Sequence, residues 1–117
     1  MMNWDEIKAE VEKNGNVLTL PMVELRDAAS ASRLGVNVRD GISSTLAGMG
    51  LGHVPVELPL NHYEQVRLYK HGTAVGKMIV TMLEPGEQND RQLVERLGEE
   101  GVDYAAVVER IRDLVNE

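Results

Sequence analysis

The sequence predicts a mostly helical α+β fold, and three observations lead to that class. The chain has 117 residues, 43% hydrophobic and 26% charged, which is ordinary for one globular domain. Apolar residues recur at helical spacing in several segments. Two short segments behave differently: 17–20 is apolar and β-branched, and 65–70 alternates polar with apolar residues, as strands do.

The chain begins with a predicted helix, a strand and a second helix. Asn3 and Glu6 form a capping-box pattern in front of a helix over residues 4–13. The strand 17–20 follows it. Pro21 suits the first turn of the second helix, because the N–H that proline lacks is not needed there.

A third helix is predicted over residues 38–49, with Asn37 as its cap. Its buried stripe is predicted at Val38, Ile42, Leu46 and Met49. The run Gly48-Met49-Gly50-Leu51-Gly52 follows this helix instead of opening one. It therefore predicts a helix stop and not a phosphate-binding loop.

Further elements are predicted after the third helix. Residues 52–56 form a strand that Pro55 confines to an edge, and a loop joins it to the strand 65–70. Thr73 caps a helix whose apolar stripe is predicted to be core, at Val75, Met78, Ile79, Met82 and Leu83. Two more helical patterns cover about 90–97 and 103–115.

Charge is unevenly distributed along the chain. The net charge is −7, which disfavours a general nucleic-acid coat protein. Residues 26–77 nevertheless carry a net charge of +2, between two acidic ends. One interpretation is that the acidic helices are solvated faces; the other is that the middle segment meets an anion.

No cofactor or metal site is expected, and the absence of cysteine and of a long apolar run favours a cytoplasmic location without a membrane partner.

Enzymatic activity is the least supported class of function. Ser43, Ser44 and Thr45 have no evident neighbouring base, and the chain lacks a nucleophile elbow and a dinucleotide-binding glycine motif. His53, His62 and His71 are spaced by nine residues, which places no two of them on one helical face. We therefore expect a protein that is not an enzyme.

The element order resembles that of the winged-helix family, within the helix-turn-helix superfamily, over residues 3–70. The resemblance is most specific in 31–51, with Ala31, the turn Leu34-Gly35-Val36, and the apolar pair Ile42 and Leu46. At this turn glycine is expected to supply a positive φ. The resemblance implies a small antiparallel sheet and C-terminal helices. It implies a winged-helix-like domain over 1–83 and an acidic helical extension over 84–117, packed on that domain or used for homodimerisation.

The resemblance further implies a DNA-binding regulatory protein that contacts duplex DNA through the helix 38–49. Arg39 and Asn37 would read bases, and Ser43 and Ser44 would contact phosphates or base edges. The remaining backbone contacts are assigned to Arg33, Arg67 and Lys70. Against this, Asp40 lies on the same helix and the loop 57–64 carries two acidic residues and no Lys or Arg.

The alternative is an acidic protein-interaction module, an adaptor or inhibitor that occupies a basic groove of a partner protein. Its acidic C-terminal segment would cover a basic surface. Small residues also line one side of the third helix at Gly41, Ser44, Thr45 and Gly48. Either another helix crosses tightly there within the domain, or the stripe is a seam for a partner.

Overall fold

The α+β class is confirmed by the computed structural model, which describes residues 2–99 and 110–112. In chain order its elements are α1 (Trp4–Lys13), β1 (Val17–Pro21), α2 (Met22–Ala28), α3 (Val36–Gly48), β2 (Leu51–Val54), β3 (Gln65–Lys70), α4 (Ala74–Leu83) and α5 (Glu87–Glu99). The chain divides into two compact units, Met1–Gly76 and Lys77–Glu117. Apart from three helical residues at 110–112, the predicted helix 103–115 lies outside the described residues, and the role predicted for 84–117 stays a prediction.

A small antiparallel sheet organises the first unit. Its strand order is β1-β3-β2, so β3 is the central strand and pairs antiparallel with both neighbours. Val66 and Leu68 of β3 are fully buried, as the alternation along this strand predicts. Leu68 lies opposite Leu18 on one side and His53 on the other.

The hydrophobic core is built from this sheet and the first three helices. The capping box predicted for α1 is present, because the Asn3 side chain accepts from Glu6 N–H at 2.8 Å and Glu6 accepts from Asn3 N–H at 3.3 Å. The largest fully buried side chains are Ile7, Val11, Met22, Leu25, Ile42, Leu46, Leu51, Val66 and Leu68. The apolar pair Ile42 and Leu46 therefore anchors α3 in the core, as predicted.

The start of α3 differs from the prediction. The helix begins at Val36 with Gly35 as its N-cap, so Asn37 is an exposed residue of the first turn and not the cap. Gly35 accepts the first helical hydrogen bond from Arg39 N–H at 3.0 Å. Its φ is −66°, so the expected positive φ at this turn is wrong. The residue with positive φ in the connection is Ser30, at 56°.

The connection from β2 to β3 is a loop over residues 55–64 that begins at a cis Val54–Pro55 peptide bond. The strand β2 ends at Val54, two residues earlier than predicted, immediately before the proline. Tyr63 N–H donates to the Asn61 side chain at 2.8 Å, which gives the end of the loop a local Asx-type turn.

Helix α4 is capped as predicted but is less buried than predicted. Thr73 Oγ1 accepts from Gly76 N–H at 3.1 Å and donates to the Lys70 carbonyl at 2.7 Å. Gly76 is the buried residue of this helix, whereas the stripe predicted as core is only half-buried, at Val75, Met78, Ile79, Met82 and Leu83. Periodicity identified the helix correctly but overestimated how much of its apolar face is covered.

Candidate functional site

A cleft lies between α3 and the loop 55–64. Its volume is about 350 Å³, and side chains of both elements line it: Val36, Arg39, Asp40, Ser43, Val56, Glu57 and Leu58. The lining combines apolar side chains with one guanidinium, two carboxylates and a hydroxyl. This combination of groups can accept an apolar moiety and hold a polar one beside it.

Arg39 joins the two walls of the cleft. Its Nε–H donates to the Leu34 carbonyl at 3.1 Å, and its Nη1–H donates to the Leu58 carbonyl at 3.3 Å. The side chain is half-buried. The residue predicted to read bases therefore satisfies two backbone acceptors of its own chain, and these bonds hold the turn before α3 against the loop.

Ser43 and His53 form a hydrogen-bonded pair beside the same cleft. Ser43 Oγ lies 2.9 Å from His53 Nε2, and His53 Nδ1 lies 2.8 Å from the Pro55 carbonyl oxygen. A carbonyl only accepts, so Nδ1 carries the ring proton and Nε2 of the neutral imidazole accepts from the Ser43 hydroxyl. The expectation that this serine has no neighbouring base is wrong, because β2 brings His53 to it across ten positions of sequence.

The remaining predicted site residues are not gathered at this cleft. Asn37 and Ser44 are exposed on α3, and Arg33 is exposed before it. Arg67 is half-buried on β3, opposite Thr19 and Val54. Lys70, at the end of β3, forms an ion pair with Glu12 at 3.6 Å.

Large apolar side chains are exposed on the two elements that form this cleft. Across the part of the chain that the structure describes, such side chains are Val36 (60% exposed), Val56 (72%), Leu60 (67%), Tyr63 (82%) and Val94 (58%). Four of these five belong to the first turn of α3 or to the loop 55–64. We call these four residues, with the exposed carboxylates Asp40, Glu57 and Glu64, the α3–loop surface.

The stripe of small residues on α3 is open and not crossed. A Cβ atom added at Gly41 or Gly48 would meet no atom within 4 Å outside the helix backbone. Of the two interpretations of the stripe, tight crossing within the domain is therefore wrong. Gly41 and Thr45 instead border a second cleft of about 290 Å³, which Trp4 and three alanines of the 28–31 region also line.

A larger depression of about 470 Å³ lies on α5, where it is lined by Glu87, Gln88, Arg91, Gln92 and Glu95. All five side chains are exposed on a single helix, and one of their carboxylates, Glu87, pairs with Arg91 at 2.9 Å. No group of three or more His, Asp or Glu residues with metal-binding geometry occurs within 2–99 and 110–112. Among the described helices, none is both long and apolar enough to cross a membrane.

No family model, curated protein or solved structure matches this chain.

Proposed function

We propose that the unit Met1–Gly76 is a winged-helix-type protein-interaction module whose contact site is the α3–loop surface. Support for the architecture comes from the order of elements α1 to β3 and from the sheet order β1-β3-β2. In a winged helix, the helix before the last two strands and the loop between those strands form the contact region. These are α3 and the loop 55–64 in this chain.

The observation that carries the proposal is the composition of this surface. Four large apolar side chains are exposed on these two elements, and two of them, Val36 and Val56, line one cleft with the carboxylates Asp40 and Glu57. Clustered exposed apolar side chains with a polar rim are typical of protein-binding sites. The chemistry of a matching partner is therefore apolar at the centre and basic at the edge, consistent with an acidic adaptor or inhibitor.

The basic residues of the middle segment do not form a comparable phosphate-binding surface. Arg39 is bound to two backbone carbonyls, Lys70 is paired with Glu12, and Arg26 is paired with Asp27 at 2.9 Å. A phosphate would have to compete with these acceptors. Three of the six basic residues of 26–77 are therefore already bonded to acceptors of the same chain.

Duplex DNA is the second candidate partner, and a specific observation favours it. Arg33, Asn37 and Ser44 are exposed at or just before α3, the helix that enters the major groove in DNA-binding winged helices. We expect fluorescence anisotropy with duplex DNA to distinguish the two functions. DNA affinity that falls between about 50 and about 200 mM salt would favour DNA binding, because each phosphate contact contributes about −0.9 to the log–log slope.

Protein binding is tested by site-specific photo-crosslinking in cells of the source organism. A crosslinking amino acid replaces Tyr63 in one variant and Val94, an exposed apolar position in the other unit, in a control variant. We expect a discrete protein partner from position 63 and none from position 94. The same crosslinks from both positions would show that the α3–loop surface is not a specific site.

The crosslinked partner, once purified, allows a matched comparison of two valine substitutions. We expect Val56→Ser to weaken binding by roughly 5-fold to 30-fold, as for a buried interface side chain, and Val94→Ser to leave it unchanged. Both changes remove an exposed apolar side chain, so the fold is affected equally little. Equal affinities of the two variants, measured by isothermal titration calorimetry, would exclude Val56 from the interface.

A further inference from the structure

We infer that Ser43 and His53 form a nucleophile–base pair, with which the chain accepts acyl groups from small esters bound in the α3–loop cleft. This inference goes beyond partner binding and does not depend on it. A nucleophilic serine needs a base within hydrogen-bond distance and a third group that orients the base. His53 Nε2, at 2.9 Å, is the base, and the Pro55 carbonyl, at 2.8 Å from Nδ1, orients it.

The hydrogen-bond partner of His53 Nδ1 determines the proton positions in this pair. Because the Pro55 carbonyl oxygen cannot donate, His53 keeps its proton on Nδ1 and offers a lone pair on Nε2. The Ser43 hydroxyl then points its hydrogen at Nε2 and leaves its own lone pairs available. This tautomer is the one that general-base activation of a serine requires.

The position of Ser43 gives it access to a substrate. Ser43 lines the cleft of about 350 Å³. Val36 and Val56 contribute apolar wall for an aliphatic acyl chain. Charged groups also face the cleft from both elements: Arg39 and Asp40 on α3, and Glu57 on the loop.

Arg39 adds an electrostatic contribution. It lies one helical turn before Ser43 on the same face of α3, and its two bonds to backbone carbonyls hold the guanidinium in place. A fixed cation in the wall of the cleft that Ser43 also lines favours, through its charge, the negative charge that develops on a carbonyl oxygen under attack. Glu57 and Asp40 oppose an anionic substrate, so we expect an uncharged ester to be accepted.

The acyl-transfer step follows directly from these roles. Ser43 Oγ attacks the ester carbonyl carbon while His53 Nε2 takes the hydroxyl proton. The tetrahedral adduct then loses its alkoxide or phenolate, which receives that proton from Nε2. The carbon–oxygen bond to the leaving group is broken, a new one to Ser43 is formed, and the products are an acyl-serine and an alcohol.

The first test treats the full chain with 4-nitrophenyl butyrate. We expect a butanoyl group on Ser43, detected by peptide mass spectrometry, or nitrophenolate release that Ser43→Ala abolishes. Ser44→Ala, at the exposed neighbouring serine, is the matched control and should change neither result. We expect His53→Gln to slow the reaction by about 100-fold, the lower range for general-base catalysis. Absence of both a Ser43 adduct and Ser43-dependent release would overturn the inference.

A second measurement uses the fact that the chain has no cysteine, so a single thiol can be placed at either serine. Ser43→Cys and Ser44→Cys are alkylated with iodoacetamide between about pH 5 and pH 10, a range that includes the thiol pKa of about 8.5. At position 43 we expect the pH midpoint of the alkylation rate to lie well below that value, because a base beside a thiol favours the thiolate. At position 44 we expect the pH midpoint to lie near that value.

Adding His53→Gln to Ser43→Cys separates the contribution of the histidine from that of Arg39. We expect the midpoint to rise by one pH unit or more in the double variant, since the thiolate then loses its imidazolium partner. The midpoint depends on ionisation, so a slower reaction at the half-buried position 43 does not affect it. Identical midpoints at positions 43 and 44, or no change in the double variant, would show that His53 only ties α3 to β2.

Discussion

Replacing Gly76 by alanine is expected to lower the free energy of unfolding of the Met1–Gly76 unit by about 3 kcal/mol, the upper range for overpacking a buried site. A Cβ atom at this position would collide with the Lys70 carbonyl oxygen at the end of β3. Because the collision is with backbone, it is not relieved by a rotamer change. The first turn of α4 has to move away from β3, which also strains the hydrogen bond from Gly76 N–H to Thr73 Oγ1.

Gly41→Ala is the matched control for this change. Gly41 also lies within a helix, but an added Cβ atom meets nothing within 4 Å. We expect the control to raise the free energy of unfolding by roughly 0.5–1 kcal/mol, the intrinsic advantage of alanine over glycine in a helix. Urea unfolding followed by the fluorescence of Trp4, the chain's single tryptophan, measures both variants. Equal midpoints for Gly76→Ala and the unmodified chain would refute the close approach of Gly76 to the Lys70 carbonyl.

Local sequence patterns predicted the elements whose ends are determined by nearby residues. The capping box at Asn3 and Glu6 forms within four residues, and it placed the start of α1 at Trp4, where the structure has it. The alternation along β3 likewise identified the strand and two of its three buried residues, Val66 and Leu68, but not the buried Tyr69. In each case the residues that decide the structure are neighbours in sequence.

Tertiary contacts decided the features that the sequence did not predict. The bonds from Arg39 to the Leu34 and Leu58 carbonyls link segments separated by 5 and 19 positions and accompany the early start of α3 at Val36. The Ser43–His53 pair likewise joins a helix to a strand across ten positions. A serine and a histidine at that spacing are common in sequences. This pair comes together because the chain reverses between the end of α3 at Gly48 and the start of β2 at Leu51.

The same distinction explains the outcome for α4. A 3.6-residue period identifies an amphipathic helix, but it does not specify how much of the apolar face another element covers. The five residues of this stripe have the pattern of a core helix, yet each of them is only half-buried. In contrast, the exposed valine, leucine and tyrosine of the loop 55–64 follow no period, and their exposure became evident only from the structure.

Leu68→Ala is expected to reduce the stability of the fold, whereas Leu60→Ala is expected to reduce partner binding. Leu68 is fully buried at the centre of β3, so its truncation should cost about 2–5 kcal/mol of unfolding free energy. Leu60 is 67% exposed on the loop, so the same truncation should change stability by less than about 0.5 kcal/mol. Urea unfolding monitored by Trp4 fluorescence measures both variants.

Leu60→Ala, which should hardly change stability, is expected to weaken partner binding. If the α3–loop surface binds an apolar and basic partner, Leu60→Ala loses apolar contact in the complex while the isolated fold is retained. We expect its affinity for the crosslinked partner to fall by roughly 5-fold or more at unchanged unfolding midpoint, as for an interface residue worth about 1 kcal/mol. A large loss of stability in Leu60→Ala would instead mean that this loop is packed against the domain, and its apolar side chains would then belong to the core.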